Sequence, residues 1–229
     1  MHTLPDTLEQ ATAGAIAATF MALNAGQSRL IIELRFSELN PLPLGYEFAV
    51  KFQAVYGDRW QALFADAGTA ALAKRDWTDL EFSARGVNEG RAAIRPQDQA
   101  FLLVAPSSIE VDRVEKLLEL AGDRPFVMVN PRLENSEVGL GLAARRLRER
   151  FLSRFELCYY LQPLDQGALF RAYPQAWQVW QQTDTSMSLL QELADRPSQE
   201  DLDRLFRQTT GRSSSWLTQL QQFLNALSR

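Results

Sequence analysis

Two short segments, residues 101–105 (FLLVA) and 126–129 (FVMV), are apolar at every position. A strand with one wet face alternates polar and apolar residues, so unbroken runs like these read as strands covered on both sides. Between them, Pro106-Ser107-Ser108 precede residues 109–121, where Val111, Val114, Leu117 and Leu118 recur at helical spacing until Gly122. Strand, amphipathic helix and strand make one βαβ unit, which is right-handed and belongs to a parallel sheet.

The same rhythm runs through the first two thirds of the chain. Pro5-Asp6-Thr7 start a helix with Leu8, Thr12, Ile16, Phe20 and Leu23 on one stripe, closed by Asn24 and Gly26. Residues 29–36 read as a strand, 43–56 as a helix and 61–65 as a strand. Asp66-Ala67-Gly68 form a turn, residues 69–77 a helix and 80–84 a further strand. A helix is expected over 139–153. Residues 155–162 and 168–173 then flank a five-residue loop, Pro163 to Gly167, as a hairpin, and 177–182 add one more strand. Residues 185–229 read as helical throughout. The expected class is α/β: a doubly wound, mostly parallel sheet with antiparallel edge strands and a C-terminal helical extension, divided as 1–190 and 191–229.

Composition removes several chemistries. The sole histidine is His2 and the sole cysteine Cys158, so Ser-His-Asp and Cys-His catalysis, His-based zinc and disulfides are not expected. A net charge of −4 gives no general attraction for nucleic acid. The longest uncharged stretch, 10–28, is too diluted by Ala, Thr, Gly, Asn and Gln to span a bilayer. We expect a cytoplasmic protein with no catalytic residues, metal or cofactor.

Ligands of doubly wound sheets bind beyond the carboxyl ends of the strands. Three such exits carry candidate residues: Asp66 in the first, Ser107 and Ser108 at a helix start, and Asn130 with Arg132 after the FVMV strand. Each is also ordinary capping chemistry. Beyond Arg132 come Arg145, Arg146, Arg148, Arg150 and Arg154, against Glu134, Glu137 and Glu149, a surface on which an anion or acidic patch could dock. Gly139, Gly141 and Ala144 match G-x-G-x-x-A, but eight residues separate them from Asn130, whereas a dinucleotide fingerprint follows its strand directly. Tyr173, Trp177 and Trp180 form an aromatic cluster that is either core or, if exposed, a partner surface.

Several of these stretches together resemble an uncharacterised family from cyanobacteria and chloroplasts. They are Pro5-Asp6-Thr7, Ile32 to Phe36 (IELRF), Phe64 to Gly68 (FADAG), Val104-Ala105-Pro106, Val129 to Leu133 (VNPRL), Leu147 to Phe151 (LRERF), Tyr159 to Pro163 (YYLQP), Phe170 to Pro174 (FRAYP) and Trp177-Gln178-Val179. The family includes the plastid low photosystem II accumulation factors, and a related domain is appended to some plastid adenylate kinases. The likeness covers about residues 5–190. It implies a non-catalytic auxiliary role in building photosynthetic membrane complexes, with photosystem or thylakoid-associated proteins as partners and peripheral association with the cytoplasmic face of thylakoids. No active site comes with it. The competing expectation, from the residues alone, is a small anionic ligand, a nucleotide or phosphometabolite, at Asn130, Arg132 and the Ser107-Ser108 helix start.

Overall fold

A computed structural model describes residues 4–133, 150–183 and 186–207. The expected class is observed. Among the described residues nine strands, β1 (Arg29–Leu34), β2 (Trp60–Phe64), β3 (Ser83–Gly86), β4 (Ala100–Val104), β5 (Phe126–Val129), β6 (Glu156–Leu164), β7 (Gly167–Ala172), β8 (Trp177–Gln182) and β9 (Met187–Leu193), form one mixed sheet in the order β3-β2-β4-β5-β1-β6-β7-β8-β9. The first five strands pair in parallel. The last four form antiparallel pairs. The chain divides into two compact units, one of residues 22–32 and 40–157, the other of residues 1–21, 33–39 and 158–229.

In the first unit, β2 (Trp60–Phe64), β4 (Ala100–Val104) and β5 (Phe126–Val129) are buried at every position, as unbroken apolar runs require. Helix α2 (Pro41–Tyr56) and helix α3 (Ala67–Asp76) follow β1 (Arg29–Leu34) and β2 and pack on one face. There Phe52 meets Trp60 at 5.7 Å and Phe64 meets Trp77 at 5.6 Å. Gly45 of α2 lets the helix approach Val104, which a Cβ would meet at 2.9 Å. Helix α4 (Val111–Ala121) covers the opposite face, where Val114, Leu117 and Leu118 join Leu63, Phe101 and Met128 in one core. Helices on both faces make the arrangement doubly wound.

The amino-terminal ends of these strands are locked by charge. Asp98, 1% exposed, accepts bonds from the Arg95 backbone and guanidinium at 2.5 to 3.2 Å. Arg95 also reaches the carbonyls of Asp58 and Trp60. Arg124 donates to the carbonyls of Ala121, Leu120, Arg95 and Asp98, and its guanidinium lies 4.8 Å from the centre of the Phe101 ring. This closes the α4 C-terminus and satisfies loop carbonyls that burial would otherwise leave unpaired.

In the second unit, β6 (Glu156–Leu164), β7 (Gly167–Ala172), β8 (Trp177–Gln182) and β9 (Met187–Leu193) form a meander. Helix α1 (Leu8–Asn24) belongs to it up to Met21, and Gly14 seats against the Tyr159 ring, which a Cβ would meet at 3.4 Å. Burial pushes the Tyr159 phenol well up from its usual range. Helix α5 (Gln199–Arg207) buries Leu202 and Phe206.

Several expectations need correction. Residues 187–193 are not helical but form β9 beside β8. The third strand is Ser83–Gly86 rather than 80–84, followed by an unexpected 3-10 segment, Val87–Ala93. Ala67 and Gly68 open α3 instead of forming a separate turn. The helix expected over 139–153 does not reach Ser153, since Leu152–Arg154 is a 3-10 turn; its residues 139–149 lie outside the described residues. The hairpin loop is tighter than expected, with strands running to Leu164 and from Gly167.

Candidate functional site

Register brings the strand exits of the first unit to one rim. Phe64 lies opposite Val104, and Val104 opposite Val129. Residues 65, 105 and 130 therefore leave the sheet side by side.

At the first exit, Asp66 caps α3, accepting the Thr69 amide at 2.8 Å and its hydroxyl at 3.0 Å. The amide bond from Thr69 is the larger cause holding this carboxyl below the usual carboxylate range, with the hydroxyl bond next. Gly86, ending β3, crowds this cap. A Cβ there would overlap the Asn88 side chain and come within 2.6 Å of the Ala67 nitrogen, so only glycine fits.

At the second exit, Ala105 donates its amide to the Val129 carbonyl at 2.8 Å and then turns at φ 47°. At the third, Asn130 donates to the Ile32 carbonyl at 2.8 Å and turns at φ 48°. Two non-glycine residues in the left-handed region at adjacent strand ends are uncommon, and such residues gather at working sites. Asparagine tolerates this conformation; alanine has no such aptitude.

The two exits then rejoin. Arg132 donates its amide to the Pro106 carbonyl at 2.7 Å, and Ser107 pairs with Arg132 as an isolated parallel bridge. Ser107 closes a capping box: its amide and hydroxyl both donate to Glu110, at 2.8 and 2.5 Å, and its oxygen receives the Ile109 amide at 3.3 Å. Glu110 is only 8% exposed. The resulting 3-10 turn, Ser108–Glu110, leads into α4, which begins at Val111 rather than at Ile109.

Of the residues expected from sequence, Ser107, Ser108, Asn130 and Arg132 thus share one stretch of rim, with Asp66 at an adjoining exit. Ser108 and Arg132 are exposed, and Asn130 is half-buried. Arg145 and Arg148 lie outside the described residues. Arg150 is held by α4, bonding Asp112 at 3.2 Å and Glu115 at 2.8 Å.

Tyr173 and Trp177 belong to the second unit. Trp177 is 4% exposed and Trp180 5%, so they do not form the exposed aromatic surface weighed above. The strand β8 that carries them lies inside the sheet, between β7 and β9. Trp177 instead meets Tyr160 edge-on at 5.2 Å, with the Arg196 guanidinium 5.6 Å and the Arg171 guanidinium 5.7 Å from its ring. Arg196 also donates to the Tyr160 hydroxyl at 2.7 Å. Tyr173 is half-buried and donates its amide to the Cys158 carbonyl at 2.7 Å.

Sequence reasoning missed Glu110 and Gly86, and the left-handed turn at Ala105. Glu110 was findable, since Ser107-x-x-Glu110 is a capping-box signature. Gly86 and Ala105 carry no local signal, because their roles depend on neighbours distant in sequence. Among the described residues, no group of three or more His, Cys, Asp and Glu is placed to hold a metal ion.

A family model for a domain of unknown function, DUF1995, matches residues 5–204. The chain belongs to this family. In the DUF1995 protein the match takes in all of the unit of residues 22–32 and 40–157, with the whole rim, and the other unit from residue 5 as far as Arg204 in α5.

Proposed function

We propose that this DUF1995 protein is a non-catalytic accessory factor in the assembly of photosynthetic membrane complexes of the photosystem II type, acting by protein–protein interaction. One observation carries the non-catalytic part. The two rim groups with chemistry to offer, the Asp66 carboxylate and the Ser107 hydroxyl, are closed into helix caps. Of the side chains that the rim presents to solvent, Ser108 and Arg132 suit recognition rather than bond making. The resemblance to the low photosystem II accumulation factors supplies the partner class. No helix among the described residues is long and apolar enough to cross a membrane, which fits peripheral association with the cytoplasmic face of thylakoids. The immobilised protein is expected to retain photosystem II subunits from detergent-solubilised thylakoids above a bare-resin control. Equal recovery on both resins would refute the reading.

The paired left-handed residues Ala105 and Asn130 favour a second reading, a small anionic ligand such as a nucleotide or phosphometabolite held at Asn130, Arg132 and Ser108. A ligand present at one hundred times its Kd would add about 2.7 kcal/mol, a melting shift of several degrees for a chain of this size. A thermal-shift series with such compounds at millimolar concentration tests it. Unmoved melting throughout would eliminate it.

A further inference from the structure

We propose that Arg196 is a latch: its guanidinium fastens the link between β9 and α5 to the meander, and α5 opens as a separate unit, with the strands still folded, once the guanidinium lets go. The latch stands apart from the accessory-factor reading and needs no partner.

Residues 194–198 join the end of β9 to the start of α5 and run along the surface, with Ala194, Asp195, Arg196 and Ser198 exposed. From this link the Arg196 side chain reaches back to β6 and β8. Its guanidinium lies 4.6 Å from the centre of the Tyr160 ring and 5.6 Å from that of Trp177. Its Nη2 also donates to the Tyr160 hydroxyl at 2.7 Å. A guanidinium cannot accept a hydrogen bond, so the hydroxyl accepts from Arg196 and gives its own proton elsewhere. That proton goes to the Gln162 side-chain oxygen. Donor and acceptor roles are therefore fixed along the row Arg196, Tyr160, Gln162, and the guanidinium has one seat.

The seat is rigid. Tyr160 is 1% exposed and Trp177 4%, the two rings meet edge-on, and the Arg171 guanidinium lies 5.7 Å from the Trp177 ring. These contacts join β6, β7 and β8 to one another and do not involve Arg196. Helix α5, by contrast, is lightly attached. It buries Leu202 and Phe206 out of nine residues. Two of its carboxylates are spent on its own first turns: Asp201 takes the Ser198 amide and hydroxyl at 3.1 and 2.6 Å, and Asp203 takes the Gln199 side-chain amide at 3.0 Å. A helix this short does not persist in water without tertiary contacts, so α5 melts when it leaves the meander. Hydrogen exchange reads local opening of this kind. A cation over an aromatic ring, together with one hydrogen bond from a charged donor, holds such opening back about thirtyfold.

The test is hydrogen exchange of the full chain followed by mass spectrometry, comparing wild type with Arg196→Ala, Arg196→Lys and Leu202→Ala. Arg196→Ala is expected to speed exchange over residues 199–207 about thirtyfold while β6, β7 and β8 keep their wild-type rates. Arg196→Lys keeps a cation but loses the planar fork, and is expected to fall between the two. Leu202→Ala removes the apolar attachment and should speed the same residues, with the strands again unmoved. Wild-type rates over α5 in Arg196→Ala would overturn the latch. Equal acceleration of α5 and the strands would overturn it as well, because Arg196 would then support the whole unit rather than one element. Unprotected α5 amides in the wild type would show that nothing there is fastened.

Discussion

Replacing Gly167 with alanine is expected to destabilise the protein by about 3 kcal/mol or more, enough to threaten folding of its unit. Gly167 opens β7 opposite Gln181 of β8, and a Cβ there would overlap the Trp180 carbonyl oxygen. That oxygen is backbone and cannot rotate away, so the strands must separate or the hairpin must lose its first pair. Chemical denaturation monitored by circular dichroism checks this. A midpoint within experimental error of wild type would mean that the two strands have slack the geometry does not show.

The second large effect is expected at the opposite end of the chain's chemistry. Asp98→Ala should cost about 3 kcal/mol. Asp98 is fully buried and neutralises Arg95, whose side chain is 30% exposed. Its removal leaves a guanidinium partly sequestered beside the Asp58 and Trp60 carbonyls, and it also strips an acceptor from the Arg95 amide. Some rehydration of Arg95 keeps the cost at the low end of what a broken buried pair shows. Asp98→Asn should recover part of the loss, because an amide oxygen still accepts the Arg95 amide. Equal stability of Ala and Asn variants would show that charge, not the acceptor, is what the site requires.

The parallel half of the fold was legible because its physics is local. The FVMV strand was placed at its observed bounds, since an apolar run between turn residues has few alternatives, and residues 177–182 were placed at theirs as well. Pro163 misled the hairpin. It marks loops by default, yet here it stays in the ladder opposite Ala168. The strand β9 failed for a more specific reason. Pairing with β8 shifts register between Val179 and Trp180, which leaves Leu190 as an extra residue. The shift turns a two-residue alternation into Met187, Leu190 and Leu193, a three-residue spacing that looks helical. Misreading β9 also left β8 as an edge strand, and so left open whether Trp177 was core or surface.

At the rim, sequence reasoning found the exits but not what they hold. Ser107 stood at a helix start, as it does in the structure, because capping residues announce themselves, whereas Asp66 was placed in a turn and instead caps α3 directly. The meeting of Ser107 with Arg132 depends on the register between β4 and β5, a relation between segments that no single segment encodes.

The division of the chain has a consequence for its synthesis. One unit is drawn from a single long stretch and a short preceding piece, all complete by Leu157, while the other gathers residues 1–21 and 33–39 and then waits for residues 158–229. On a ribosome the first can collapse while the second still lacks its meander. Helix α1, uncharged from Gln10 to Asn24, must spend that interval without Tyr159 to cover it. The nascent chain therefore carries the apolar stripe of α1 uncovered until the last third is translated, a surface that a holding chaperone could shield.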